Sequence, residues 1–187
     1  SLATLALVAL RLPETLARRN PRALEPATLA RTWMQVLSHP TFWAFSLLTT
    51  ASYGGLFTFL ASSSFVFIEV LHLSRTQYSF VLFFGAFSYF GGTFACRAVL
   101  TRHGLRRTVA VAGALSLGGA LTMLLLAWAG VRHPVGLLLP FYFFMVAHGM
   151  HQPCGQAGCV GPFPHAAGAA SALNGLMMML AAFAVGG

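Results

Sequence analysis

Six polar side chains stand inside one apolar stretch late in the chain: His148, His151, Gln152, Cys154, Gln156 and Cys159. Two chemistries suit them. A free imidazole titrates near pH 6.5, roughly where a proton carrier needs to work, which makes His148 a proton-coupling candidate. Imidazole and thiolate together can instead hold a soft metal such as zinc or copper. His148 and His151 lie three residues apart and Gln152 four from His148, so the three share one helical face. That face suits a substrate cavity. The intervals through His148, His151, Cys154 and Cys159 are three, three and five, irregular for a closed metal site, and Pro153 disturbs the helix between them. No metal ligand is therefore assigned. A plainer reading stays open, in which these groups only hydrogen-bond to neighbouring helices. His148 is still the best titratable group of the apolar runs, because no Asp or Glu lies inside any of them and Glu69 only borders one.

Further cavity candidates are aromatic. Tyr53 and Phe57 are four residues apart on one helical face, beside Gly54-Gly55. Such a face suits flat apolar or cationic compounds. Tyr89 and Tyr142 are comparable. Asn174 is an amide inside the last apolar run and serves either a substrate or a neighbouring helix. Against these stands the packing role of most of the 17 Phe. Met177-Met178-Met179 wraps its helix and is read as packing. Trp33, Trp43 and Trp128 sit where interfacial belts are expected.

The elements that must position these groups are set by composition. The chain has 57% hydrophobic and 7% charged residues, against roughly 45–50% and about 25% in a soluble domain. That excludes a cytosolic enzyme, a nucleic-acid binder and a disordered chain, and makes the lipid bilayer the first partner. All 11 basic residues are Arg, giving a net charge of +8, and they fall between apolar runs, where topology accounts for them without nucleic acid. Cys96, Cys154 and Cys159 form no paired framework and are expected as free thiols. No catalytic residue is assigned: the chain has no Asp, no Ser-His-Asp set and no His-Glu-x-x-His pattern.

Charges punctuate the chain. Residues 1–12 read as the end of a membrane helix, and 13–40 as a basic, proline-rich loop. Within that loop Leu29, Trp33, Val36 and Leu37 share one face, the pattern of a short amphipathic surface helix. Residues 41–187 read as a bundle with spans at about 41–68, 76–97, 107–131, 134–157 and 166–187. Pro153, Gly155, Gly158, Gly161, Pro162 and Pro164 break the last long run in two. Gly54-Gly55, Gly91-Gly92, Gly118-Gly119 and Gly168 to Ala172 offer small residues for close helix approach. The fold class is all-α integral membrane, one partial and five further helices, and both ends read as cut through helices. With residues 13–40 cytoplasmic, Arg11, Arg18, Arg19, Arg22, Arg31, Arg97, Arg102, Arg106 and Arg107 lie inside and Arg75 and Arg132 outside.

Three segments then carry a resemblance. Leu12-Pro13-Glu14-Thr15-Leu16 looks like the segment after the sixth helix of many drug exporters. Arg102-His103-Gly104-Leu105-Arg106-Arg107 is similar to a short basic loop, usually Asp-Arg-x-Gly-Arg-Arg, with Thr101 at the Asp position and an extra residue after Gly104. Pro162-Phe163-Pro164-His165 and the small residues to Leu173 look like the start of an eleventh helix. Together they resemble the C-terminal half of a major facilitator superfamily transporter, Bcr/CflA multidrug subfamily. Where relatives often carry Pro-Asn, this chain has Pro153-Cys154.

The resemblance implies a multi-pass protein of the bacterial inner membrane that exports drugs or other small apolar molecules. It implies alternating access powered by the proton gradient, with no bound cofactor. It also implies a partner in the missing N-terminal half, which usually holds the main proton-coupling carboxylate. Arg102, Gly104, Arg106 and Arg107 become a gating or topology loop at a helix start. Alternatives are a sugar or metabolite carrier of the same fold, and a receptor or scaffold that moves nothing.

Overall fold

A computed structural model describes residue 10, residues 25–131 and residues 133–186. The helix end expected over residues 1–12 and the Leu12-to-Leu16 segment lie outside the described residues, except Leu10. So do Arg11, Arg18, Arg19, Arg22 and Arg132. All regular structure among the described residues is helical.

Helix α1 runs Pro26–Leu37 and starts on a proline, whose missing N–H costs nothing at a first turn. It buries Val36 in a cluster with Phe42, Cys159, Phe163, Ala170 and Leu173, and leaves Met34 67% exposed. Helix α2 follows at Pro40–Ser64 and continues through a π turn at Phe65–Val70. The His39 ring accepts from the Thr41 amide at 3.3 Å, capping α2. The Trp43 indole N–H donates to the Leu37 carbonyl at 2.6 Å and ties α1 to α2. Trp43 is thus a structural anchor between the two helices.

Helix α3 spans Arg75–Trp128 and begins in a capping box, with Ser74 and Gln77 each bonding the other's backbone N–H. Fifty-four residues of straight helix would measure about 81 Å, far beyond a bilayer core. The break is Gly104, at φ 75° and ψ 173°, a backbone region essentially reserved for glycine. Helix α4 is Pro134–Val160 and α5 is Ala167–Gly186.

Contacts with α4 show what Gly104 does. Along the first arm of α3, Gly85 faces Phe141, Gly92 faces Val146, and Cys96 faces Cys154. The numbers rise together, so this arm is parallel to α4. Along the second arm, Ala112 packs with Met150 and Cys154, Ser116 meets His151, and Gly119 faces Pro140. Here they run oppositely. The chain therefore reverses at one residue, and α3 is a hairpin clasping α4. The expected spans 76–97 and 107–131 overlap its two arms, which meet at Gly104 and end at Trp128. The basic segment between them is helical up to Gly104 and again after it. Arg102 consequently ends the first arm, where the helix dipole favours a cation, instead of sitting at a helix start as expected.

Glycine placement explains the tight clasp. In the pairs Gly91-Gly92 and Gly118-Gly119, one member faces α4 and the other has nothing within 4 Å of an added Cβ. Helix α2 packs on the other side of α4 and against α5. Outward faces remain apolar: Phe87, Leu117 and Phe183 are more than half exposed, a surface matched to hydrocarbon and costly in water. By length and apolarity four helical stretches among the described residues can cross a membrane, 40–70, 75–128, 134–160 and 167–186, and the second has two arms because it turns back at Gly104.

Candidate functional site

The middle of α4 is its most buried part, with residues 147–151 all enclosed. Glycine makes this possible. A Cβ on Gly149 would strike the Tyr89 carbonyl oxygen, and one on Gly92 the Val146 carbonyl oxygen, so backbones of α3 and α4 meet directly. Polar side chains trapped at this level must find partners, because lipid offers none.

His148 is 4% exposed, and its Nδ1 shares a hydrogen bond with Ser52 Oγ on α2 at 2.8 Å. Three rings surround it: Tyr89 at 5.4 Å, Phe144 stacked at 6.3 Å and Tyr53 at 6.5 Å between centroids. Phe57 joins through Tyr53, 5.0 Å away. His151 is 3% exposed and its Nε2 shares a hydrogen bond with Ser116 Oγ on the second arm of α3 at 3.2 Å, while Nδ1 has no partner among the described residues. The two imidazoles therefore lean on opposite neighbours of α4. Helical spacing placed them on one face, but α4 is packed on several sides, so a turn of about 60° changes the partner.

Gln152 faces a third way. It lines a cleft of about 520 Å³ between the first arm of α3 and α4, with Tyr89, Thr93, Arg97 and Gln156. Gln152 Nε2 is buried without a hydrogen-bond partner. Tyr142 belongs elsewhere, in a second cavity of about 460 Å³ with His72 and Gln77, where its hydroxyl donates to the Val81 carbonyl at 3.4 Å. Asn174 is fully buried on α5 and accepts a hydrogen bond from Thr49 on α2 at 2.9 Å, bridging the two helices.

The thiols behave differently from one another. Cys96 and Cys154 lie sulfur to sulfur at 3.3 Å, while Cys159 sits in a separate cluster beside the Phe42 carbonyl. All three are free thiols. Among the described residues no three of His, Cys, Asp and Glu are gathered for a metal. At the closed end of the α3 hairpin Arg97, Arg102, Arg106 and Arg107 are all exposed.

Sequence reasoning missed the partners: Ser52 for His148, Ser116 for His151 and Cys96 for Cys154. Each is a small polar residue in an apolar run, the type that bridges helices in lipid, but spacing along one helix cannot say which other helix it meets.

The arrangement holds a titratable ring at mid-span, an aromatic surround and an adjoining cleft; the two serine–imidazole pairs have no carboxylate beside them among the described residues. Comparison with known proteins agrees on the class: residues 1–186 match the family model of the Major Facilitator Superfamily. No curated protein and no solved structure matches the chain. Four membrane-length apolar helices among the described residues and a family match along almost the whole length lead to one assignment: the chain belongs to the major facilitator superfamily, as a multi-pass membrane protein of secondary small-molecule transport and not an enzyme.

Proposed function

We propose that the chain forms the C-terminal part of a proton-coupled exporter of drugs or other small apolar molecules, of the Bcr/CflA type. It would work in a bacterial inner membrane, with residues 13–40 cytoplasmic and with the N-terminal half of the same transporter as its partner. The observation that carries this reading is His148, a titratable ring buried at mid-span, bonded to Ser52 on α2 and enclosed by Tyr53, Tyr89 and Phe144.

Protonation turns both ring nitrogens into donors. Nδ1 then holds Ser52 as acceptor, and the charged ring gains from the aromatic faces around it. Loss of the proton weakens both ties at once. Because Tyr53 and Ser52 belong to α2 and Tyr89 to α3, the charge on one ring alters how two helices grip α4. That is the kind of coupling alternating access needs. Tyr53, Phe57, Tyr89 and Gln152 would offer the substrate surface nearby. Tyr142 and Asn174 would act from further off, and Arg102, Arg106 and Arg107 at the closed end of the hairpin. The proton gradient supplies the energy and no cofactor is involved.

The test is flux in proteoliposomes holding the chain together with its N-terminal half. An imposed proton gradient should drive uptake of a fluorescent apolar drug. His148→Asn keeps a side-chain hydrogen bond toward Ser52 but cannot titrate. It should lose gradient-driven flux and keep downhill exchange. Gradient-driven flux at the wild-type rate in that variant would refute the role of His148. Competition by sugars and not by drugs would favour a metabolite carrier of the same fold.

A further inference from the structure

The cleft between the first arm of α3 and α4 carries one charged lining residue, Arg97. Its volume, about 520 Å³, is in the range of small-molecule sites, roughly 300–1,000 Å³. Its one charged lining group is a cation. Arg97 brings a guanidinium, always charged. Gln152 also lines it, and its Nε2 is buried with no hydrogen-bond partner among the described residues, an arrangement that native interiors rarely leave unexplained. The Thr93 hydroxyl donates to the Phe90 carbonyl at 2.7 Å and leaves its oxygen only as an acceptor. Among the described residues no acidic side chain lines the space; Glu69 lies within the π turn after α2. Arg102, Arg106 and Arg107 lie beyond the mouth at the hairpin's closed end, adding potential of the same sign. A cleft with one sign of charge and apolar walls focuses that field on whatever enters. Tyr89 supplies a ring on the deeper side, next to His148.

We propose that this cleft binds small amphiphilic anions, an aromatic carboxylate being the simplest. The carboxylate would take a charge-assisted pair of bonds from Arg97 with Gln152 as an additional donor, and the ring would lie toward Tyr89. This narrows the substrate class of the proposed transporter and rests on that reading. It predicts that cationic compounds are the poorest ligands of this half of the protein.

The experiment is equilibrium dialysis of the chain in nanodiscs of zwitterionic lipid at 0.15 M salt, with empty nanodiscs subtracted. The probes share one frame and differ in charge: 1-naphthoate, 1-naphthamide and 1-naphthylmethylammonium. Naphthoate should bind at least about tenfold more tightly than the other two, a modest demand on one guanidinium pair out of bulk water. Arg97→Gln should bring the three to parity. Arg97→Lys should keep most of the preference, which also reports that the variants fold, and Arg31→Gln on α1 should change nothing. The proposal is overturned if naphthoate binding is unsaturable or no tighter than that of the amide, or if Arg97→Gln keeps the preference. Binding is read without a gradient, so absent proton-driven flux counts against the transport reading alone. Flux of neutral drugs without anion preference in binding counts against this proposal alone.

Discussion

Substituting alanine for Gly149 tests how α3 and α4 are held together. The added Cβ would fall on the Tyr89 carbonyl oxygen and lie 3.1 Å from Gly92 Cα. Both neighbours are backbone, so neither can rotate aside, and the first arm must move off α4. Overpacking of this kind costs about 1–3 kcal/mol, and the upper half is expected because two rigid atoms are struck at once. The displacement also opens the Tyr89–His148 contact, now 5.4 Å, and the Cys96–Cys154 approach of 3.3 Å. At about 2–4 °C per kcal/mol for a chain of this size, the thermal midpoint should fall by roughly 4–12 °C. The assay is the fraction of detergent-solubilised protein still monodisperse after heating, compared with Gly91→Ala. An added Cβ at Gly91 meets nothing within 4 Å, so that variant should be neutral or gain up to about 1 kcal/mol of helix propensity. A Gly149→Ala midpoint at or above that of Gly91→Ala would refute direct backbone contact.

Other predictions follow from the same contacts. Oxidation by copper phenanthroline should join Cys96 to Cys154 and leave Cys159 free, read by mass spectrometry of non-reduced peptides; a Cys159 cross-link or an unreacted pair would contradict the 3.3 Å approach. Gly104→Ala should destabilise by about 1–3 kcal/mol although an added Cβ meets nothing within 4 Å. Gly104→Asn should be no better, because ψ 173° lies outside the left-handed helical region that Asn tolerates; a thermal midpoint unchanged in either variant would show the reversal to be relaxed. A double-mutant cycle of Thr49→Val and Asn174→Leu should give a coupling of about 0.6–2 kcal/mol, and strict additivity would show that the 2.9 Å bond contributes nothing.

The helical membrane class was legible from residue chemistry, because apolar runs long enough to span leave no other fold. The reversal at Gly104 was marked by a glycine among arginines. That helix would persist up to it on both sides was not, since exposed Arg, His and Leu read equally well as loop or as helix end. Likewise His148 announced itself as a titratable group in an apolar run. Its setting was hidden, because Ser52 and Tyr89 reach it from elements 96 and 59 positions earlier in the chain. Periodicity orders residues around one axis; it is silent on which neighbour occupies each side. The cleft escaped for the same reason, as Arg97 read only as a topology signal until α4 placed Gln152 opposite.

The one-residue turn at Gly104 also bears on how the protein is made. Two apolar arms joined so closely cannot enter a bilayer one at a time without stranding half a hairpin, so they insert as a pair. Arg97, Arg102, Arg106 and Arg107 crowd the closed end, and carrying each through the hydrocarbon costs about 2.5–3.5 kcal/mol even on the lenient scale of the insertion machinery. On the proposed topology, the lodged hairpin acts as a ratchet: its tip stays on the side from which it was synthesised, and later segments must thread around a fixed post.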